Sequence, residues 1–190
     1  MKTQELTNEE SLEIITGMIG EAKRSIAKGG SFQFLLWGFT MAVANFGHYA
    51  LEKMDYHMPY IVWLVTLPVI GISIAHGIRS KRKSGASGHL DRIYGRIWLI
   101  LGISMFCTIA FMYKLNFNHG AVILLLAGCG TYISGSLLRF RPLVYGGWFL
   151  LVAACFAFTQ SRIDQTLISG VAIIFGYVVP GILLKKQEGE

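Results

Sequence analysis

"GAVILLLAGCGTYISGSLLRF", residues 120–140, contains no Asp, Glu, Lys or Arg before Arg139. The run 120–138 is about as long as the roughly 20 residues that one helical crossing of a hydrocarbon core requires. Small residues punctuate it: Ala127, Thr131 and Gly135 recur every four residues and so lie along one face of a helix. Such a face lets a second helix approach closely in lipid, where dispersion rather than the hydrophobic effect holds helices together.

Working outward, the same kind of run recurs. Residues 32–51, 59–78, 97–113, 143–159 and 166–184 are also free of charged side chains. The chain of 190 residues is 53% hydrophobic and 15% charged, with a mean hydropathy of +0.51. Soluble domains carry about 25% charged residues. Unpaired backbone groups are too costly in lipid for open sheets, so the expected fold is all-α: a polytopic membrane protein with six transmembrane helices. The expected division is a cytoplasmic amphipathic helix over 1–30, a six-helix bundle over 31–186 and a short cytoplasmic tail over 187–190. The N-terminus carries Glu5, Glu9, Glu10 and Glu13 and has no early apolar core, so it does not read as a cleaved signal.

Basic residues orient the bundle. Of the 17 Lys and Arg, all but Lys53, Lys114 and Arg162 fall in the N-terminal segment, the 79–96 connection, the 139–141 turn or the tail. By the positive-inside rule both termini are expected in the cytoplasm. Arg79, Lys81, Arg82 and Lys83 are expected to meet anionic lipid headgroups, and no nucleic-acid partner is expected.

The end of the opening stretch has an echo. "GTYISGSLLRF" (130–140) and "GYVVPGILLKK" (176–186) align Gly130 with Gly176, Ser134 with Pro180, Gly135 with Gly181 and Arg139 with Lys185. Gly71, Ala75 and Arg79 form a fainter copy. The odd-numbered spans each begin with a tryptophan, Trp37, Trp98 or Trp148, expected at headgroup level. This reads as three helical hairpins in parallel order. The helix-packing residues expected from it are Gly130, Thr131, Ser134, Gly135, Gly176, Pro180 and Gly181. Pro68 and Pro180 are expected to kink their helices. Cys107, Cys129 and Cys155 are expected to be small buried hydrophobes.

Residues 7–30 read as a separate helix. Thr7 and Glu10 form a capping box, and Leu12, Ile15, Ile19, Ala22 and Ile26 make an apolar stripe. Gly29-Gly30 is expected to end it, with Ser31 capping the first span. The stripe is expected to lie on the membrane surface, or to meet a second copy of the chain or another protein.

No Walker loop, nucleophile elbow or zinc-protease motif is present, so enzyme activity and cofactors are not expected. No span holds a carboxylate or lysine, the usual mark of proton-coupled transport. The polar residues cluster around Thr131, Ser134 and Ser136 and at the outer end, where the candidate group is Asn45, His48, Glu52, His57 and His119. Histidine and glutamate are suited to a metal or proton site, but no H-x-x-x-H spacing is present.

The chain resembles a group of uncharacterised bacterial inner-membrane proteins in three motifs: Leu-Leu-Trp-Gly at 35–38, Ser-Gly-x-Leu-Leu-x-Phe-x-Pro-Leu at 134–143 and Gly-Tyr-x-x-Pro-Gly at 176–181. The resemblance implies six spans in a bacterial inner membrane and carries no activity with it. Two functions stand as expectations: a channel or carrier for a small solute or ion, which the Gly-rich and Pro-kinked bundle favours, and a membrane-embedded regulator acting through its N-terminal helix.

Overall fold

The computed structural model describes residues 7–83 and 89–188. Those residues are helical throughout, apart from connecting turns, with no strand among them. The elements are α1 (Asn8–Lys53), a 3-10 segment (Pro59–Val65) leading into α2 (Thr66–Lys83), α3 (His89–Ala110), α4 (His119–Leu138), α5 (Arg141–Ala157) and α6 (Arg162–Ile173), which passes through one π turn (Ile174–Val178) into α7 (Val179–Glu188). Among the described residues four helices are long and apolar enough to cross a membrane: Pro59–Arg79, Arg92–Ala110, His119–Leu138 and Arg162–Gln187. α5 is apolar but shorter. The first expected span lies inside α1, where Gln33, Asn45 and His48 dilute the apolar run.

α1 departs from the expectation most clearly. Thr7 caps it with the foreseen reciprocal bonds, Glu10 N–H to Thr7 Oγ1 at 3.3 Å and Thr7 N–H to Glu10 Oε2 at 2.8 Å. These bonds hold the Glu10 carboxyl below the usual carboxylate range. The helix then runs unbroken through Gly29-Gly30, and Ser31 is buried within it rather than capping anything. Glycine costs about 1 kcal/mol in a helix interior, but packing decides here: Gly30 is buried, and a Cβ there would sit 3.8 Å from Tyr94 Oη and 4.0 Å from Leu184.

The helices α2 and α3 also extend into the expected 79–96 loop, so Arg79, Lys81, Arg82 and Lys83 belong to the last turns of α2. Arg79 is exposed; the side chains of the other three lie outside the described ones. Pro68 sits in the first turn of α2, just after the helix changes from 3-10 to α geometry and midway along the apolar run Pro59–Arg79. Pro180 follows directly on a π turn, Ile174–Val178.

The echoed phrase has a structural meaning. Each copy wedges one helix between two neighbours. In the first copy a Cβ on Gly130 would meet Leu101 and Trp98 of α3, and one on Gly135 would meet Leu143 and Val144 of α5. In the second, Gly176 faces Leu150 and Gly146 of α5, while Gly181 faces Phe34 and Leu35 of α1. Five residues turn an ordinary helix by about 140°, so two glycines at that spacing serve two partners. Thr131 and Ser134 are buried between them, each hydroxyl donating to the carbonyl four residues back. Pro180 Cγ packs against Gly146.

The core is a packed apolar layer. Leu124, Leu150, Ala154 and Ala172 are buried together, with Leu125, Ala153, Ile173 and Tyr177 against them. A second cluster joins Phe34, Leu143 and Leu184 to Trp98, Leu138, Phe140 and Tyr177. α2 and α3 stand at the periphery, with Leu67, Ile74, Leu99 and Phe106 all exposed. Cys107 and Cys155 share this outward exposure and Cys129 is half-buried, so two of the three are not core residues.

Candidate functional site

α1 positions the polar residues near its C-terminal end. His48 and Glu52 are one turn apart, and His48 Nε2–H donates to Glu52 Oε2 at 3.2 Å. The other ring nitrogen is also engaged, because Trp63 Nε1–H donates to His48 Nδ1 at 2.8 Å. An indole nitrogen can only donate, so Nδ1 must be unprotonated, and the ring is held as the neutral Nε2–H tautomer. Both nitrogens are occupied, so metal binding at His48 would break one of these bonds. Asn45 is buried and donates to Met41 O of its own helix. His57 is exposed in the connection after α1. His119, at the start of α4, is close enough to His48 to feel its charge. Among the described residues no three His, Cys, Asp or Glu are grouped to hold a metal ion.

α6 supplies polar groups that the sequence analysis passed over. Gln165 is 2% exposed, donates to Asn118 Oδ1 at 2.8 Å and lies over Gly120. One turn deeper is Ser169, 5% exposed, whose Oγ has no hydrogen-bond partner; His119 Nδ1 is likewise buried and unpartnered. Ser169 adjoins Gly170, which packs on Phe46 of α1. Buried polar side chains of α1, α4 and α6 thus occur at this end, while Leu124 and Leu150 belong to an apolar cluster. Ordinary helix composition hides these residues, because one Gln and one Ser in an apolar run carry no motif.

The opposite end holds a feature that corrects the expected register of the faint third copy. Trp37 Nε1–H donates to Ser73 Oγ and Trp98 Nε1–H to Ser134 Oγ, each at 3.3 Å and each across 36 residues. Four residues before each tryptophan stands another partner of the same serine. Gln33 accepts from Ser73 Oγ at 2.7 Å and donates to Ser73 O at 3.1 Å, and Tyr94 Oη is 3.4 Å from Ser134 Oγ. The pair α1 and α2 thus shares a bonding pattern with α3 and α4, with Ser73 rather than Ala75 in the place of Ser134. Both indoles are satisfied within the protein rather than by interfacial water. Trp148 alone of the three is exposed, edge-on to Tyr132.

The N-terminal stripe is only partly visible. Leu12 is 64% exposed, and the side chains of Ile15, Ile19, Ala22 and Ile26 lie outside the described ones.

Fold and buried polar groups together define an all-helical protein whose long apolar helices suit a membrane. No protein-family model matches the chain, and neither a curated protein nor a solved structure matches it.

Proposed function

We propose that the chain is a membrane-embedded regulatory or accessory subunit, in which a bundle of six spans anchors a rigid helix that reaches into the cytoplasm. The observation that carries this reading is the continuity of α1. Residues 8–30 precede its bundle-packed part without a break, and at 1.5 Å per residue they extend it by about 35 Å. Near the start of that extension Glu9, Glu10, Leu12, Glu13 and Ile14 are exposed, and Gly17 and Gly20 have nothing within 4 Å. In this reading α5 and the 31–53 part of α1 complete six spans, and the helices form three hairpins. The distribution of basic residues supports the part of this reading in which both termini are cytoplasmic and Arg79, Lys81, Arg82 and Lys83 meet the headgroups of a bacterial inner membrane.

The orientation is tested by single-cysteine labelling in a background lacking Cys107, Cys129 and Cys155. Arg82→Cys is expected to stay unlabelled by an impermeant maleimide in intact cells and to react after lysis. Labelling before lysis reverses the orientation.

The coupling role is tested by photo-crosslinking in cells. A photoreactive residue at Leu12 or Ile14 is expected to trap a discrete protein, while one at Val152 on α5, which is 65% exposed, traps none. Ile15→Asp with Ile19→Asp is expected to remove the adduct and leave the thermal stability of the bundle unchanged. Absence of an adduct at both positions sinks the reading.

A carrier for a small solute is the second reading, and the buried unpartnered Ser169 Oγ and His119 Nδ1 are what favour it. Flux through proteoliposomes that falls with Ser169→Val or His48→Ala, in the absence of any crosslink at Leu12 or Ile14, would establish it in place of the first.

A further inference from the structure

The geometry points to an acid-sensitive latch between α1 and the 3-10 segment before α2, built from Trp63, His48 and Glu52. The bond from Trp63 exists only while His48 Nδ1 is unprotonated. A proton arriving there converts the acceptor into a second donor facing the indole N–H, and the Trp63 bond is lost. Histidine is the side chain suited to such switching near neutral pH. The His48 and Glu52 side chains are 25% and 38% exposed and lie within the last two turns of α1, next to the exposed connection that carries Asp55 and His57.

The neighbours set the balance. Glu52, on the same helix, attracts the protonated ring. His119 of α4 opposes a second positive charge beside it. The 3-10 segment contributes Trp63 and an exposed Tyr60 and no charged side chain. The other charged groups at this end are engaged elsewhere: Lys53 over Tyr49, Lys114 over Tyr113, Arg162 over Phe117, and Asp164 with Ser161. Asp55 and His57 are exposed in the connection that follows α1.

One bond matters here because α2 is held so lightly. Only 6% of its apolar window is buried. Its polar ties to α1 are at two points, Trp63 on His48 at one end and Ser73 with Gln33 and Trp37 at the other. Loss of the first leaves α2 held to α1 by the packing of Val62 on Gly47, the stacking of Phe32 on His76 and the Ser73 bonds. The latch stands whether or not α1 acts on a cytoplasmic partner.

The test uses the full chain in micelles with isotopically labelled histidine and tryptophan, titrated from pH 8 to pH 5. The Trp63 indole N–H resonance, assigned by its absence in Trp63→Phe, is expected to move with the same midpoint as the His48 ring nitrogens. His48→Gln, which cannot take up a proton, is expected to leave the Trp63 resonance fixed over the same range. A Trp63 resonance that stays fixed while His48 titrates overturns the latch, as does a His48 that does not titrate in this range. The spectroscopic arm needs only the wild type to fold, so failure of a variant leaves the proposal decidable.

Discussion

Gly135→Leu is expected to prevent assembly of the bundle, or to cost about 3 kcal/mol or more, at the upper end of the overpacking range. The first atom of any side chain at this position has nowhere to go. A Cβ would lie 2.5 Å from Val144 N and 2.8 Å from Leu143 C, both backbone atoms of α5, so rotamer changes cannot relieve the clash. The contact lies just before the tight α4–α5 turn, where Arg139 caps α4 in the left-handed conformation at φ 55° and Phe140 N–H returns to Gly135 O at 2.9 Å. α5 cannot back away without undoing that turn. Gly102→Leu on α3 is the control, because nothing lies within 4 Å of Gly102, and it should melt like the wild type. Size-exclusion profiles and thermal melts in one detergent compare the two. A Gly135→Leu protein as stable as Gly102→Leu would mean that the α4–α5 packing described here is wrong.

That contact was legible in the sequence because small residues at helical spacing have one dominant physical use in lipid. Other features were not legible, for reasons visible in particular residues. Gly29-Gly30 reads as a helix stop, since glycine is the usual residue past a helix end. Its behaviour is decided by Tyr94 and Leu184, which are distant in sequence. The Trp37–Ser73 and Trp98–Ser134 bonds needed the register between helices, which no single-helix pattern contains. Trp near a span end therefore reads as an interface residue, the more general rule. Ser169 and Gln165 lie in an apolar run, where a lone polar residue gives no sign of whether it faces lipid or a neighbour. The outer cluster was legible as residue types but not as an arrangement. His48 spends both nitrogens on Trp63 and Glu52, and His57 stands exposed.

The largest loss from a single added methyl group is expected at the crossing of α5 with the π turn. Gly146 and Gly176 face each other there. A Cβ on Gly146 would collide with Gly176 O and lie 2.8 Å from Pro180 Cγ; one on Gly176 would lie 2.5 Å from Leu150 Cγ and 2.9 Å from Gly146 O. The cause is in the sequence. Pro180 has no N–H to donate to Gly176 O four residues earlier, so the helix shifts to π geometry at this point. Gly176 O then lies against α5, and only a glycine at 146 leaves room for it. Gly146→Ala is expected to cost about 3 kcal/mol, more than the roughly 1 kcal/mol that alanine would gain in helix propensity. Gly176→Ala is expected to behave alike, because the same two backbones must separate in either case. The double variant is therefore expected to cost clearly less than the two single losses together, since a gap opened for one methyl already accommodates much of the other. Chemical or thermal denaturation of the four proteins closes the cycle. Strict additivity would show that the two glycines are not in one contact, and a neutral Gly146→Ala would remove the close crossing altogether.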